Sequence, residues 1–139
     1  MRVLAIDFGT RRIGTAVSDA LGISVRPVET IKRSSNDRVI ARLKALVEEL
    51  EAEAVVVGLP IRMDGAEGDA AREVKRFARC LQSQLVVEVI THDERLTSYE
   101  AEQIMTERGL NRSERRAHSD TLAAMIILRD YLSTTRNKN

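Results

Sequence analysis

The order of apolar runs in this 139-residue chain predicts one α/β domain built on a mixed sheet with helices packed on its faces. Three observations carry that expectation. Val3-Leu4-Ala5-Ile6 and Ile13 to Ser18 are short β-rich runs split by a Gly-containing turn, as in a hairpin of buried strands. Ala54-Val55-Val56-Val57-Gly58 is a continuous β-branched run, the pattern of a strand covered on both faces. Between such runs, apolar residues recur at helical spacing, so strands after the hairpin are joined by β–α–β crossovers.

Taken in order, the hairpin comes first, with Asp7 inside its first strand and Gly9-Thr10-Arg11-Arg12 at its turn. Ile23 to Ile31 predicts a third strand, and Pro27 places it at an edge or a bulge, because proline donates nothing to a ladder. Ser34-Ser35-Asn36-Asp37 supplies helix-start residues. Val39, Ile40, Leu43, Leu46, Val47 and Leu50 follow at helical spacing. After the 54–58 strand and Leu59-Pro60 comes a polar loop, Arg62 to Asp69, with Asp69 as a cap for a helix to about Gln84.

Leu85 to Ile90 reads as another covered strand. Thr97-Ser98-Tyr99-Glu100 has capping-box spacing and opens a helix ending near Gly109. Asn111 to Ser119 is polar and carries Arg112, Arg115 and Arg116, which reads as a mobile basic flap. A last helix is expected from about Asp120 to Leu132, followed by a frayed tail, residues 133–139. There is no internal repeat, linker or low-complexity block, so residues 1–139 are expected to form a single domain.

Composition narrows the classes of function. The chain is 43% hydrophobic and 31% charged, a globular balance. With two Tyr, two Phe and no Trp, a surface of stacked aromatics for single-stranded nucleic acid is disfavoured. The 22 basic residues nearly balance the 21 acidic ones, so any polyanion must be met by local charge. Cys80 is the one cysteine, which precludes an intrachain disulfide and fits a reducing compartment. No apolar run reaches signal-peptide or membrane-helix length, and the expected location is cytoplasmic with no membrane contact.

Three acidic residues fit a bland surface poorly. Asp7 lies in a buried strand, where a bare carboxylate needs a compensating cation, although it could instead cap the turn. Glu94, in His92-Asp93-Glu94-Arg95-Leu96-Thr97, follows a strand's carboxyl end, where ligands of α/β sheets gather; it could also simply favour the next helix's N-terminus. If Asp120 is helical, Ala123, Ala124, Ile127, Leu128 and Tyr131 share its face, which turns it toward the core; the alternative is an N-cap. Carboxylates are hard oxygen ligands suited to Mg²⁺ or Mn²⁺. Two such ions can activate a water and stabilise the leaving oxygen of a phosphodiester.

Read together, the motifs resemble the YqgF/RuvX family, described as pre-16S ribosomal RNA nucleases or Holliday-junction resolvase-like proteins. The matching pieces are Asp7-Phe8-Gly9-Thr10 with Ile13-Gly14, and Gly58-Leu59-Pro60 with Met63-Asp64-Gly65. They continue with Asp93-Glu94-Arg95-Leu96-Thr97 and end with Asp120, Ala123-Ala124 and Ile126-Ile127-Leu128. The resemblance implies an RNase H-like fold, a five-stranded mixed sheet of order 3-2-1-4-5. It also implies that Asp7, Glu94 and Asp120 are the catalytic, metal-holding acids. The family's segment before the last acid often carries lysines; here Arg112, Arg115, Arg116 and His118 keep the positive charge.

The expected activity is therefore a two-metal-ion, Mg²⁺- or Mn²⁺-dependent nuclease. By resemblance its substrate is the 5′ end of precursor 16S rRNA, with branched DNA as the alternative within the same chemistry. Arg11, Arg12, Arg62 and Arg95, in loops beside the motifs, are expected to contact phosphates along with Arg112, Arg115 and Arg116. The ribosome could supply specificity, and a symmetric junction cutter would need a homodimer where an RNA processor could remain a monomer. Asp64 and Asp93 fit turn or cap roles better than metal binding, His92 a structural role, and Glu100, Glu102 and Glu107 a solvated face. Two rival classes are a nucleotide-binding module, because Asp7-Phe8-Gly9-Thr10 also resembles the phosphate loop of sugar kinases, and a non-catalytic RNA or transcription-complex binder.

Overall fold

The structure, a computed structural model, describes residues 1–60, 68–93 and 112–137. Their order is β1 (Val3–Phe8), β2 (Arg12–Ser18), β3 (Val25–Lys32), α1 (Asn36–Leu50), β4 (Ala54–Leu59), α2 (Asp69–Gln84), β5 (Glu88–Asp93) and α3 (Arg112–Asn137). The five strands form one sheet of order β3-β2-β1-β4-β5, as expected. β1–β2 and β2–β3 are antiparallel, whereas β1–β4 and β4–β5 are parallel.

Strand alternation explains the two cores. Leu4, Ile6, Ile13, Val17, Val55 and Val57 point to one face, where they meet Val39, Leu43 and Leu46 of α1 and Val74, Phe77 and Leu81 of α2. Val3, Ala5, Ala16, Ala54 and Val56 point to the other, beneath Ala124, Ile127, Leu128 and Leu132 of α3. The sheet residues on this second face are small, so a single helix can lie close against them.

β3 is the edge strand its proline predicts. Pro27 pairs with Ala16, and the β2–β3 register shifts between Gly14 and Ala16. At the irregularity the Thr15 hydroxyl donates to the Glu29 carbonyl at 2.6 Å and accepts from the Glu29 amide at 3.0 Å. α1 is capped by Ser35, whose hydroxyl accepts from the Arg38 amide at 3.2 Å.

Four boundaries differ from the sequence reading. Asp69 is the first residue of α2, not its cap; Gly68 holds the cap position and Asp69 pairs with Arg72. β5 starts at Glu88, not Leu85, and runs through Asp93. It is an edge strand only partly covered, with Val89 packed on one core and Ile90 on the other: Val86 before it is fully exposed, and Gln82 of α2 bonds the Val89 amide at 2.7 Å and the Val87 carbonyl at 2.9 Å. Apolar runs alone do not distinguish a covered strand from an edge whose backbone is met by a side chain.

The fourth difference is α3. It begins at Arg112, so residues 112–119 are helical backbone and not a separate flap, and it continues to Asn137. Glu114 to Ala117 are good helix formers, and neither Gly nor Pro occurs after Gly109. Toward the other end, the Thr134 and Thr135 hydroxyls donate to the carbonyls of Asp130 and Tyr131, each at 2.9 Å, so their polar groups are satisfied within the helix. Among the described residues no helix is long and apolar enough to cross a membrane. The capping-box helix expected after Thr97 lies outside the described residues.

Candidate active site

Asp7 is the third residue of the β1 series Val3, Ala5, Asp7 and so faces α3. Directly across the β1–β2 ladder, Asp7 pairs with Gly14. Gly14 is where α3 comes closest to the sheet: a β-carbon there would stand 1.9 Å from the Asp120 carbonyl oxygen and 2.3 Å from its carbon. Asp7 and Asp120 are therefore joined through one glycine, on one face, at the end of the sheet where β1 finishes. Asp120 lies well inside α3, which removes the N-cap alternative for it.

The turn between β1 and β2 is tight. The Gly9 amide donates to the Arg12 carbonyl at 3.0 Å, and a β-carbon on Gly9 would stand 2.4 Å from that oxygen. Arg33 braces the turn from the other face of the sheet. Its amide donates to the Arg11 carbonyl at 2.9 Å, and its guanidinium donates to the Gly9 carbonyl at 3.2 Å. The same guanidinium lies 4.2 Å over the Phe8 ring, pairs with Glu73 at 2.5 Å, and so ties α2 to the turn. Phe8 in turn stacks on Phe77, centroids 4.2 Å apart.

The expected phosphate contacts fall into three groups. Arg12, the first residue of β2, donates from Nε to Asp120 Oδ2 at 2.8 Å. Arg11 is exposed in the turn. Arg112, Arg115 and Arg116 occupy the first turns of α3; Arg112 precedes Asp120 by eight residues, roughly 12 Å of helix, so this stretch continues the helix beyond the level of the Asp7–Asp120 pair. Arg62, Arg95 and the acid Glu94 lie outside the described residues, as do Asp64, Glu100, Glu102 and Glu107.

Asp93 is exposed at the end of β5, opposite Leu59. His92 is not a loop residue as expected but part of β5, pairing with Asp130 of α3 at 2.6 Å and meeting the Tyr131 ring edge-on. That ties β5 to α3, in keeping with its expected structural role.

Among the described residues no three His, Cys, Asp or Glu side chains group as a metal site. Asp7 and Asp120 together offer oxygen donors only, the set that suits Mg²⁺ or Mn²⁺ rather than softer ions. Two features were not anticipated from sequence. An isolated glycine inside a strand signals a close backbone approach, which could have marked Gly14. Nothing local marked Arg33, because its partners come from three separate elements.

The family model described as "RuvX: Holliday junction resolvase" matches residues 1–134. Relatives named "Putative pre-16S rRNA nuclease" include one from Thermoanaerobacter pseudethanolicus, 38% identical, with 99% of this chain and 100% of the relative covered. One from Chloroflexus aurantiacus is 45% identical, with 97% and 88% covered. Solved structures with a similar fold include a T. thermophilus RuvC in complex with Holliday junction substrate (TM-score 0.59, 20% identity, 97% of this chain and 96% of that one). The fowlpox virus Holliday junction resolvase is another (TM-score 0.60, 12% identity, 96% and 99%).

Proposed function

This chain belongs to the RuvX family, and on that premise we propose that it is a metal-dependent nuclease, a single domain acting in the cytoplasm on structured nucleic acid. The observation that carries the reading is the meeting of Asp7 and Asp120 through Gly14 on one sheet face. Asp7, Glu94 and Asp120 hold two Mg²⁺ or Mn²⁺ ions. Bound there, the ions supply activation of a water and stabilisation of the leaving oxygen.

The protein's own part is to fix two acids on rigid elements and to hold the substrate's phosphates. β1 and α3 cannot shift independently, because the Asp120 backbone rests on Gly14. Arg11 and Arg12 at the turn, Arg62 and Arg95, and Arg112, Arg115 and Arg116 at the start of α3 contact successive phosphates. Arginine's fork suits phosphate oxygens.

The names of the relatives favour precursor 16S rRNA as the substrate; cleavage at its 5′ end, with the ribosome as a partner lending specificity, is part of the same proposal. The family model's own description keeps Holliday junction DNA as the second reading, for which a homodimer would be needed.

Cleavage of matched precursor-rRNA and four-way-junction substrates, in Mn²⁺, Mg²⁺ or EDTA, tests the proposal with wild type beside Asp7→Asn. Metal-dependent cutting that vanishes in the variant is expected, and the better substrate decides between the two readings. Intact substrate under every metal, with both proteins still bound to it, would overturn the nuclease and promote a non-catalytic binder.

A further inference from the structure

We propose that Arg12 is an exchangeable counter-cation for Asp120: it pairs with the carboxylate and moves to a substrate phosphate when a divalent ion takes its place. The inference rests on the metal-dependent nuclease reading and adds to it a coupling between metal and polyanion.

The pair is asymmetric in mobility. Asp120 is mid-helix, its backbone is wedged on Gly14, and its side chain is only 17% exposed. Arg12 starts β2 beside the turn and its side chain is 47% exposed. The carboxylate is the fixed partner and the guanidinium the one that can leave.

The bond also has the form of a contact that can be exchanged. A committed arginine–carboxylate clamp uses two parallel N–H donors. Here Nε alone reaches Oδ2, at 2.8 Å. The two Nη groups are the edge of the fork that suits a phosphate.

A divalent ion held by the Asp120 carboxylate and a guanidinium on the same carboxylate would repel each other, and partial burial weakens screening. The two cations therefore compete for Asp120. A phosphate arriving beside the ion gives Arg12 a new anionic partner, so each binding event favours the other.

Mn²⁺ binding to the full chain without nucleic acid, followed by the electron paramagnetic resonance of free Mn²⁺, tests the competition. Arg12→Gln should bind Mn²⁺ at least about fivefold tighter than wild type, the low end of ordinary site-to-site coupling. Arg12→Lys, which keeps the charge, should fall between them. Asp120→Asn should bind weakly, and adding Arg12→Gln to it should give no gain. Equal or weaker binding by Arg12→Gln, in a protein whose melting is unchanged, would overturn the exchange and leave Arg12 as a positioning residue. Failure of every protein, wild type included, to bind Mn²⁺ would overturn the metal-dependent reading itself and the exchange with it.

The phosphate half has its own readout. The salt dependence of binding to a four-way junction is compared in Ca²⁺ and in EDTA. Wild type should gain a slope of about one phosphate contact over Arg12→Gln in Ca²⁺ and none in EDTA. Equal slopes for the two proteins in both conditions would overturn the transfer to phosphate.

Discussion

The carbonyl oxygen of Asp120 stands 1.9 Å from where a β-carbon on Gly14 would lie. That contact sets the height of α3 over the sheet and hence the depth of the Asp120 carboxylate relative to Asp7, which faces Gly14 across the ladder. Gly14→Ala inserts an atom against backbone that a rotamer change cannot move. The expected cost is about 3 kcal/mol or more in chemical denaturation, with Mn²⁺ affinity reduced in the protein that remains folded. An unchanged midpoint would mean that α3 can ride up without loss.

Arg33 braces the 9–12 turn through a ring, a carbonyl and a carboxylate. Its partner Glu73 is 46% exposed, so the ion pair itself contributes little. Arg33→Ala should destabilise by about 2 kcal/mol in urea, mostly from the Phe8 contact and the Gly9 bond, whereas Glu73→Gln should cost under about 1 kcal/mol. Arg33→Lys should recover less than half the loss, since an ammonium does not stack flat on a ring.

Glu29 on β3 accepts two bonds from Arg42 of α1, at 2.6 and 3.0 Å, and the guanidinium holds its carboxyl below the ordinary value of 4.5. A folded-state value below the unfolded one means stability that is fully present above the unfolded value and lost as pH falls through the folded value. Thermal melting of wild type should therefore drop on acidification below about pH 4.5 more than that of Glu29→Gln, by under about 1 kcal/mol for so exposed a pair. Parallel acid limbs for the two proteins would show that the pair is not formed in solution.

Glu51 ends α1 in the left-handed region, φ 55°, with its amide bonded to the Glu48 carbonyl at 3.3 Å. A residue with a β-carbon is strained there and glycine is not. Glu51→Gly should stabilise the protein by roughly 0.5 kcal/mol, the relief of strain being partly offset by a more flexible unfolded chain, and a small rise in melting temperature checks it.

The strands and the helices between them were legible because each rests on local periodicity, whereas the strand order was implied only by the family resemblance. Alternation in β1, the β-branched run of β4 and the helical spacing of α1 all lie within windows of a few residues. Pro27 announced the edge of the sheet for an equally local reason, its missing donor. Where polarity was the only guide, the reading failed: residues 112–119 look like a loop in composition yet continue α3, because helix propensity there meets no stop signal.

At the candidate site, sequence by itself placed Asp7 inside a buried strand and, if Asp120 is helical, put it on one face with Ala124, Ile127 and Leu128. It could not place Arg12 on Asp120, 108 residues away, or Arg33 over Phe8 with Glu73 alongside. Those contacts join residues far apart in the chain, and only the sheet register and the way α2 and α3 dock on its two faces bring them together. Local propensity fixes elements within a few residues; which side chains meet across elements is set by the packing of the whole domain.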